Sequence, residues 1–235
     1  MKKFILFSIA IYLFTFCFQL TAENKIALKF LSDETWKSEE TIIMKGLEPP
    51  ASRIESENKV VKVFPDGSAL IKSKAFKAEA GLSLDKLANF DKSPLLNKEQ
   101  YKLITPDGKI FIPRPKPQFD NPEEAAASKE FGFTDEIDLL LKSKSIDDFI
   151  KINSEPMDSY LIPDKPLAVG KSEKSDMWVI TRIKEEIVDG IVCAVFEGKM
   201  GPVIKTVYVD AATGRIICVK IKQGSQAEMT YRRLK

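Results

Sequence analysis

The chain has 235 residues, with 36 basic and 34 acidic side chains, and it contains no histidine. The missing histidine excludes Ser-His-Asp and Cys-His nucleophile pairs, histidine general bases and histidine-ligated zinc. Because the charges nearly balance, the composition does not predict a basic surface for nucleic acid or strong attraction to an anionic membrane.

The N-terminus predicts an export signal. Lys2 and Lys3 are followed by an apolar run from Phe4 to Leu20, and the small residue Ala22 precedes a polar segment. This order is typical of a secretory signal peptide, so we predict residues 1–22 as the signal, with cleavage after Ala22.

Residues 23–235 are then expected to form a single β-rich domain in the periplasm, with no transmembrane segment after cleavage. Two alternatives to cleavage stay open, an uncleaved signal anchor and a lipidated Cys17. Phe16 argues against lipidation, because the processing enzyme of lipoproteins needs a small side chain before the cysteine. The domain divides into N-terminal hairpins (23–117), a helical insert (118–153) and a C-terminal meander (154–235).

Two segments of the N-terminal part share one turn signature. Residues 60–74 (VVKVFPDGSALIKSK) and 101–115 (YKLITPDGKIFIPRP) each place Pro-Asp-Gly between runs rich in apolar residues. Pro presets the first turn position, Asp caps the turn, and Gly adopts the left-handed conformation. Both segments are therefore predicted to be β-hairpins.

Other N-terminal segments give less definite signals. Residues 24–31 are apolar and fit a helix or a strand, and residues 32–40 are polar. Ser83 could cap a short helix through Phe90. Residues 113–117 alternate proline with basic residues and predict a stiff extended connector.

The insert predicts short helices. Asn121 is a good N-cap followed by proline and two glutamates, and Gly132 would end that helix. A second helix is predicted over residues 135–142 and a third after Ser145. We expect these helices to cover the apolar face of the sheet.

The C-terminal part predicts an antiparallel meander. Between Asp176 and Lys222, four runs rich in Val, Ile, Thr, Tyr and Phe are separated by turn residues. Residues 161–178 could add an edge strand and residues 227–231 a last strand. The structural turn positions are Asp189, Gly190, Asp210 and Gly214.

A two-residue turn at Asp189-Gly190 fixes the register of the first hairpin. Ile183 would then face Phe196, and Arg182 would face Glu197. One face of the hairpin becomes apolar and needs cover, either ordinary core or a ligand. This face contains Val179, Ile183, Ile187, Val192, Ala194 and Phe196.

The two cysteines of the predicted mature chain are expected to be free thiols. Cys193 and Cys218 lie on the second and fourth strands of the meander, roughly 9–10 Å apart. This separation exceeds the reach of a disulfide, and without a Cys-x-x-Cys spacing the pair cannot build a zinc site.

Residues 206–217 (TVYVDAATGRII) show an apolar strand, Tyr-Val-Asp, two small residues, Thr-Gly and another apolar strand. This pattern resembles the LolA-like periplasmic lipoprotein carriers and, more weakly, the PepSY domain, over the last quarter of the chain. The carrier resemblance implies a curved, half-barrel-like antiparallel sheet with short helices that shield an acyl chain. The PepSY resemblance implies a protein-interaction or protease-regulating module.

The expected fold class is therefore α+β, mainly β, with a curved antiparallel sheet and a helical insert on one face. The first hypothesis is a non-catalytic envelope protein that binds a lipid or a lipoprotein acyl chain between sheet and helices. The alternatives are an interaction module that contacts another envelope protein, and a carboxylate-based hydrolase. We assign no catalytic residue, cofactor or metal. The expected ligand-lining residues are Val179, Ile183, Val192, Phe196, Val207 and Val209.

Overall fold

A computed structural model describes residues 25–45, 52–80, 98–115, 135–175 and 178–234. Within these ranges the chain forms twelve strands and two short helices. The strands are β1 (Thr35–Met44), β2 (Ser52–Val63), β3 (Ala69–Ala80), β4 (Glu99–Ile104), β5 (Lys109–Phe111), β6 (Asp158–Ser159), β7 (Ser172–Ser175), β8 (Trp178–Val188), β9 (Ile191–Met200), β10 (Val203–Asp210), β11 (Ile216–Gln223) and β12 (Ala227–Leu234). The helices are α1 (Glu136–Lys142) and α2 (Asp147–Ile152).

All twelve strands belong to one antiparallel sheet in the order β6-β5-β4-β3-β2-β1-β12-β11-β10-β9-β8-β7. The sheet is strongly curved, as shown by Ile104 on β4 and Phe196 on β9, which belong to one buried cluster. Six strands lie between β4 and β9 in the sheet order. In a flat sheet the two strands would be roughly 33 Å apart. The mainly β fold class predicted from the sequence is confirmed.

The predicted hairpins form at their turn residues. Both Pro-Asp-Gly turns place glycine in the left-handed region, with φ of +87° at Gly67 and +85° at Gly108. Asp189 and Gly190 both have positive φ between β8 and β9. Two consecutive positive φ values are typical of a tight two-residue turn whose twist matches the strands.

The predicted register of the β8–β9 hairpin is wrong beyond Lys184. A bulge at Ile183 sets Arg182 opposite Phe196 and Thr181 opposite Glu197. The buried Arg182 guanidinium donates hydrogen bonds to the carbonyl of Leu167 (3.0 Å) and to Glu185 (2.8 Å). The bulge thus directs the Arg182 side chain toward the loop that precedes β7. This contact cannot be inferred from the hairpin sequence alone.

The described helices do not cover the C-terminal meander, contrary to our expectation. Leu140 of α1 and Phe149 of α2 pack on the convex face of β2–β5, against residues such as Leu70 and Leu103. Lys62 of β2 donates hydrogen bonds to the carbonyls of Leu140 and Leu141 at the end of α1. These contacts satisfy free carbonyls at the helix C-terminus, and they fix the insert on the N-terminal half of the sheet.

Residues 25–31 form neither helix nor strand and lie against the concave face. Leu28 is buried in the concave cluster and donates its backbone N–H to the carbonyl of Pro106. A side chain at Gly214 would place its Cβ 2.2 Å from the carbonyl oxygen of Ala27. Glycine at this turn therefore permits both the positive φ of +68° and the close approach of the N-terminal segment.

Cys193 and Cys218 are free and buried on the convex face, with β10 between their strands. The prediction of free thiols is confirmed. Burial raises the pKa of the Cys193 thiol to about 11, with a smaller contribution from nearby Asp210. This thiol stays protonated and unreactive at neutral pH.

Several sequence predictions lie outside the described residues: the signal peptide, the helix after Ser83 and the helix after Asn121. No helix within the described ranges is long and apolar enough to cross a membrane.

Candidate functional site

The concave face of the sheet has two halves that differ in how they are covered. The half formed by β8–β11, called here the filled half, contains large buried apolar side chains. Phe196, Val207 and Val209 are each at most 1% exposed there. They pack in one cluster with Leu161 and Ile162. This half therefore has the character of an ordinary hydrophobic core.

A short segment, residues 158–163, crosses the filled half, and we call it the strap. Its Leu161 is fully buried and has a φ of +56°, a costly conformation for a branched side chain. A Cβ at Gly198 of β9 would lie 2.4 Å from a methyl group of Leu161. Only glycine leaves room at this position, so the strap and β9 fit closely.

Lys205 of β10 fixes the start of the strap from within the concave face. Its ammonium group is 2.7 Å from the Asp158 carboxylate and also donates a hydrogen bond to the carbonyl of Ser159. Burial lowers the pKa of Lys205, against the opposing attraction of Asp158. This buried cation is retained because its partner and a backbone carbonyl both lie on the strap.

The other half of the concave face, formed by β12 and β1–β4, is the open half. It contains a cavity of about 250 Å³, which we call the concave groove. The cavity is lined by Trp36, Ser38, Glu40, Ile54, Ser56, Asn58, Ile71, Ser73, Ala75, Gln100, Lys102, Ile104, Tyr160 and Tyr231.

The middle of the concave groove is polar. Asn58 of β2 donates a hydrogen bond to the hydroxyl of Ser38 (2.9 Å) and accepts one from the hydroxyl of Ser73 (2.7 Å). The three side chains come from neighbouring strands: Ser73 lies directly opposite Asn58, and Ser38 lies diagonally across, two residues after Trp36, which pairs with Asn58. Small hydroxyl side chains here keep the groove open, because they do not reach across it.

From Ile54 the concave face continues past the lining of the groove as an apolar surface. Cross-strand pairing aligns Met229 of β12 with Ile42 of β1, and places Ile54 of β2 one row away. Met44 follows Ile42 on the same face and is 46% exposed. Ile71 and Ile104 line the groove on the other side of Asn58 and Ser73, because Ile71 pairs with Val60 and Lys102. The hydrogen-bonding groups therefore lie between two stretches of apolar surface.

Three aromatic side chains form the wall of the groove nearest the filled half. Trp36 donates its indole N–H to the hydroxyl of Tyr231 at 3.0 Å. Tyr160 comes from the strap and lies under the Lys205 ammonium, 5.9 Å from the ring centre. Burial raises the pKa of both tyrosines, so their hydroxyls stay neutral across the physiological range.

A larger cavity of about 870 Å³ is lined by outward-facing residues of β1–β4 and β12 and also reaches Trp36, Asn58 and Arg233 of the concave face. The register places its lysines and glutamates on the convex face, where Lys72 pairs with Glu99 (2.9 Å) and Lys37 with Glu57 (3.8 Å). All four side chains are at least one-third exposed. We interpret this region as a solvated charged face, because exposed pairs of this kind contribute little.

The structure places the six lining residues predicted from the sequence in three different environments. Phe196, Val207 and Val209 lie together in the core of the filled half. Val192 is on the same face but half exposed near the hairpin turn. Two residues lie on the convex side: Val179, whose register partner is Lys199, and Ile183, which packs beside Cys193 and Val195.

The residues of the concave groove were not singled out from the sequence. β1 and β2 place charged residues outward and serine, asparagine or glutamate inward, so both faces look polar. The available signal was the alternation Ser38, Glu40, Ile42, Met44, which changes from polar to apolar along one strand face. Among the described residues, no group of three or more Cys, Asp or Glu side chains is placed to hold a metal ion.

The predicted turn residues lie at the rim of the sheet, away from the groove. Asp210 accepts hydrogen bonds from the backbone N–H groups of Ala212 (2.9 Å) and Thr213 (3.3 Å). Burial raises the pKa of Asp210, but the hydrogen bond from the Thr213 hydroxyl, these backbone bonds and Arg215 together hold it below its usual value. Asp189 forms a bidentate ion pair with Arg232, so the β8–β9 turn is tied to β12.

Comparison with protein-family models and with curated proteins finds no match. Solved structures do match, and three of them align with this chain over most of their length. A LolA superfamily protein from Nitrosomonas europaea has a TM-score of 0.30 and 6% identity, with 92% of this chain and 91% of that chain covered. A domain named for outer membrane lipoprotein sorting, from Vibrio parahaemolyticus, has a TM-score of 0.27 and 10% identity. A DUF1329 family protein from Desulfovibrio piger has a TM-score of 0.25 and 10% identity, and each of these last two alignments covers 87% of this chain and 84% of the other.

Proposed function

We propose that the protein is a non-catalytic, exported binding protein that holds the apolar chain of an amphipathic ligand in the concave groove. The observation that carries this proposal is the 250 Å³ cavity on the concave face of an otherwise core-filled sheet. A concave, partly apolar pocket with a few polar groups is typical of small-molecule binding sites.

Apolar surface in and beside the groove supports a chain as the bound part of the ligand. Ile54 lines the groove, Ile42 and Met229 continue its apolar surface on β1 and β12, and all three side chains are only partly buried. Each methylene group that moves from water onto such surface contributes about 0.8 kcal/mol. A ligand of modest chain length would therefore bind without any charged contact.

The location of the ligand differs from that predicted from the sequence, where sheet and helices would enclose it. The described helices pack on the convex face, so we place the ligand on the concave face beside the strap. Phe196, Val207 and Val209 would then form the packed wall behind the groove, and the strap residue Tyr160 would separate them from the ligand.

Export is part of the proposal and rests on the basic N-terminus and the apolar run from Phe4 to Leu20. An envelope location brings the protein into contact with lipids and acylated proteins, which supply ligands with apolar chains. The expected ligand is thus a lipid or an acylated molecule of the envelope.

A blocking variant tests the function. Ala75→Phe places a ring in the groove, whereas Lys74→Phe places the same ring on the convex face, one residue away. We expect the neutral fluorescent probe N-phenyl-1-naphthylamine to bind the parent protein and Lys74→Phe equally, and Ala75→Phe at least tenfold more weakly. Native mass spectrometry of protein from its own host should show a bound amphiphile. Equal probe binding by both variants, or no binding by any, would overturn the proposal.

A further inference from the structure

Glu40 is the acidic residue of the concave groove, and its surroundings are unusual for a carboxylate. It lies on β1 between Tyr231 of β12 and Ile54 of β2 in the cross-strand register. Ile42 follows it on the same strand face. Within the described ranges, no hydrogen bond or ion pair engages its carboxylate. A partly buried charge beside apolar and aromatic groups is costly unless a counter-charge is supplied.

The neighbouring cations are already paired with other acids. Lys205 contacts the ring of Tyr160 but pairs with Asp158 at 2.7 Å. Arg233 lies 4.6 Å from the centre of the Trp36 ring and pairs with Glu34 at 2.7 Å. Tyr160 and Trp36 therefore each already contact one cation, and neither cation forms an ion pair with Glu40.

The aromatic wall and Glu40 together have the chemistry of a cation site. Trp36, Tyr160 and Tyr231 line the same cavity as the carboxylate. Ring faces carry negative electrostatic potential and recognise ammonium groups, most strongly where water is excluded. Burial is the main cause that raises the pKa of Tyr160 and Tyr231; the charge of Glu40 adds to it at both rings, while the Trp36 hydrogen bond and Arg233 oppose it at Tyr231.

The second charged group of the groove lies at its opposite corner. Lys102 is on β4, with β2 and β3 between it and β1. Its neighbours on the same strand face are Gln100 and Ile104, and it has no ion pair within the described part of the chain. Lys102 would attract an anion, but no aromatic ring of the groove comes from β4. The aromatic groups and the carboxylate favour a cation at the Glu40 end.

We propose that the ligand held in the concave groove is an amphiphile whose polar end carries a positively charged amine. Glu40 is its counter-ion, and Tyr160 and Tyr231 pack around the amine. This inference rests on the proposed function, because it assigns the polar end of the same ligand.

The test compares amphiphiles that share a dodecyl chain and differ in the polar end. Dodecyltrimethylammonium, dodecyl maltoside and dodecanoate would each displace N-phenyl-1-naphthylamine below their micellar concentrations. We expect the ammonium compound to bind about tenfold tighter than the maltoside, a ratio that falls with added salt. Tetramethylammonium, which lacks the chain, should displace the probe at least a hundredfold more weakly.

Substitutions assign the preference to one carboxylate. Glu40→Gln should bring the ratio of ammonium to maltoside affinity to about one without weakening the maltoside, while Glu40→Asp retains most of the preference. The control Glu57→Gln removes a carboxylate from the convex face of the neighbouring strand and should change nothing. An unchanged ratio in Glu40→Gln would overturn the inference.

Two further outcomes separate this inference from the proposed function. If all three dodecyl compounds bind equally, the proposed positive charge of the ligand is wrong while the groove function stands. The same holds if dodecanoate binds tightest and Lys102→Gln abolishes that preference. If no dodecyl compound displaces the probe, the groove function fails first.

Discussion

The filled and open halves of the concave face belong to one sheet and differ mainly in the size of their inward side chains. Inward positions of β9 and β10 carry Phe196, Val207 and Val209, which meet the strap and leave no space. Inward positions of β1–β3 carry Ser38, Ser56, Ser73 and Ala75, which are too short to fill the curve. The same backbone architecture thus provides core in one half and a cavity in the other.

The largest expected difference between the halves concerns large-to-small substitutions. Phe196→Ala should lower the free energy of unfolding by about 3–5 kcal/mol, because it leaves a cavity in a packed core. Ile54→Ala removes a side chain that already borders open space, and we expect a loss of about 1 kcal/mol. Urea unfolding followed by far-UV circular dichroism measures both losses. Equal losses would contradict the division of the concave face.

A second difference concerns added volume at the strap. Gly198→Ala introduces a Cβ within 2.4 Å of the Leu161 side chain. We expect a loss of about 1–3 kcal/mol in the free energy of unfolding, since neither β9 nor the strap can move away without disturbing the core. The double variant Gly198→Ala/Leu161→Ala tests the cause. If Leu161 is the obstacle, the second substitution should cost less in the Gly198→Ala background than in the parent protein.

The buried cation of the filled half predicts that stability depends on pH. Because burial lowers the pKa of Lys205, the unfolded chain binds more protons than the folded protein between that lowered pKa and 10.5. The contribution of this group to the free energy of unfolding therefore rises with pH in that window and is constant below it.

Lys205→Met removes that dependence. The free energy of unfolding of the parent minus that of Lys205→Met should increase as the pH is raised from neutral toward 10. The matched variant Lys199→Met removes an ammonium group from an exposed position of the neighbouring strand and serves as the control. A flat profile for Lys205→Met would mean that the ammonium is hydrated in the folded protein.

The sequence predicted best the parts of the fold that depend on local turn chemistry. Pro-Asp-Gly and Asp-Gly determine their own backbone conformation, so both N-terminal hairpins and the β8–β9 turn form at the expected residues. The bulge at Ile183 could not be predicted, because Arg182 is turned inward by the carbonyl of Leu167. That partner lies outside the hairpin.

The concave groove depends on pairing between distant parts of the chain. β1 pairs with β12, which joins residues near 40 to residues near 230. Glu40 and Tyr231 become neighbours only through this pairing. The groove exists because small side chains leave space unfilled. In the sequence, however, a short polar residue in a strand fits a solvent-exposed face equally well. The sequence could therefore predict an apolar face in the filled half but not the cavity in the open half.

The comparison with the smallest expected effects on stability replaces one alanine by valine in each half. Ala194→Val in the filled half should lower the free energy of unfolding by about 1–3 kcal/mol, because Ala194 is completely buried beside Val209. Ala75→Val in the open half should change it by less than about 0.5 kcal/mol, since the added methyl groups enter the groove and valine suits a strand.

Ligand binding should show the opposite order. Ala75→Val narrows the concave groove and is expected to weaken binding of N-phenyl-1-naphthylamine about threefold, while Ala194→Val leaves the affinity of the folded protein unchanged. Fluorescence titration at a urea concentration of zero measures the affinity, and urea unfolding measures the stability. If Ala75→Val instead destabilises the protein as strongly as Ala194→Val and leaves probe binding intact, the open half is packed like the filled half. The concave face would then be core throughout, and any ligand would have to bind elsewhere.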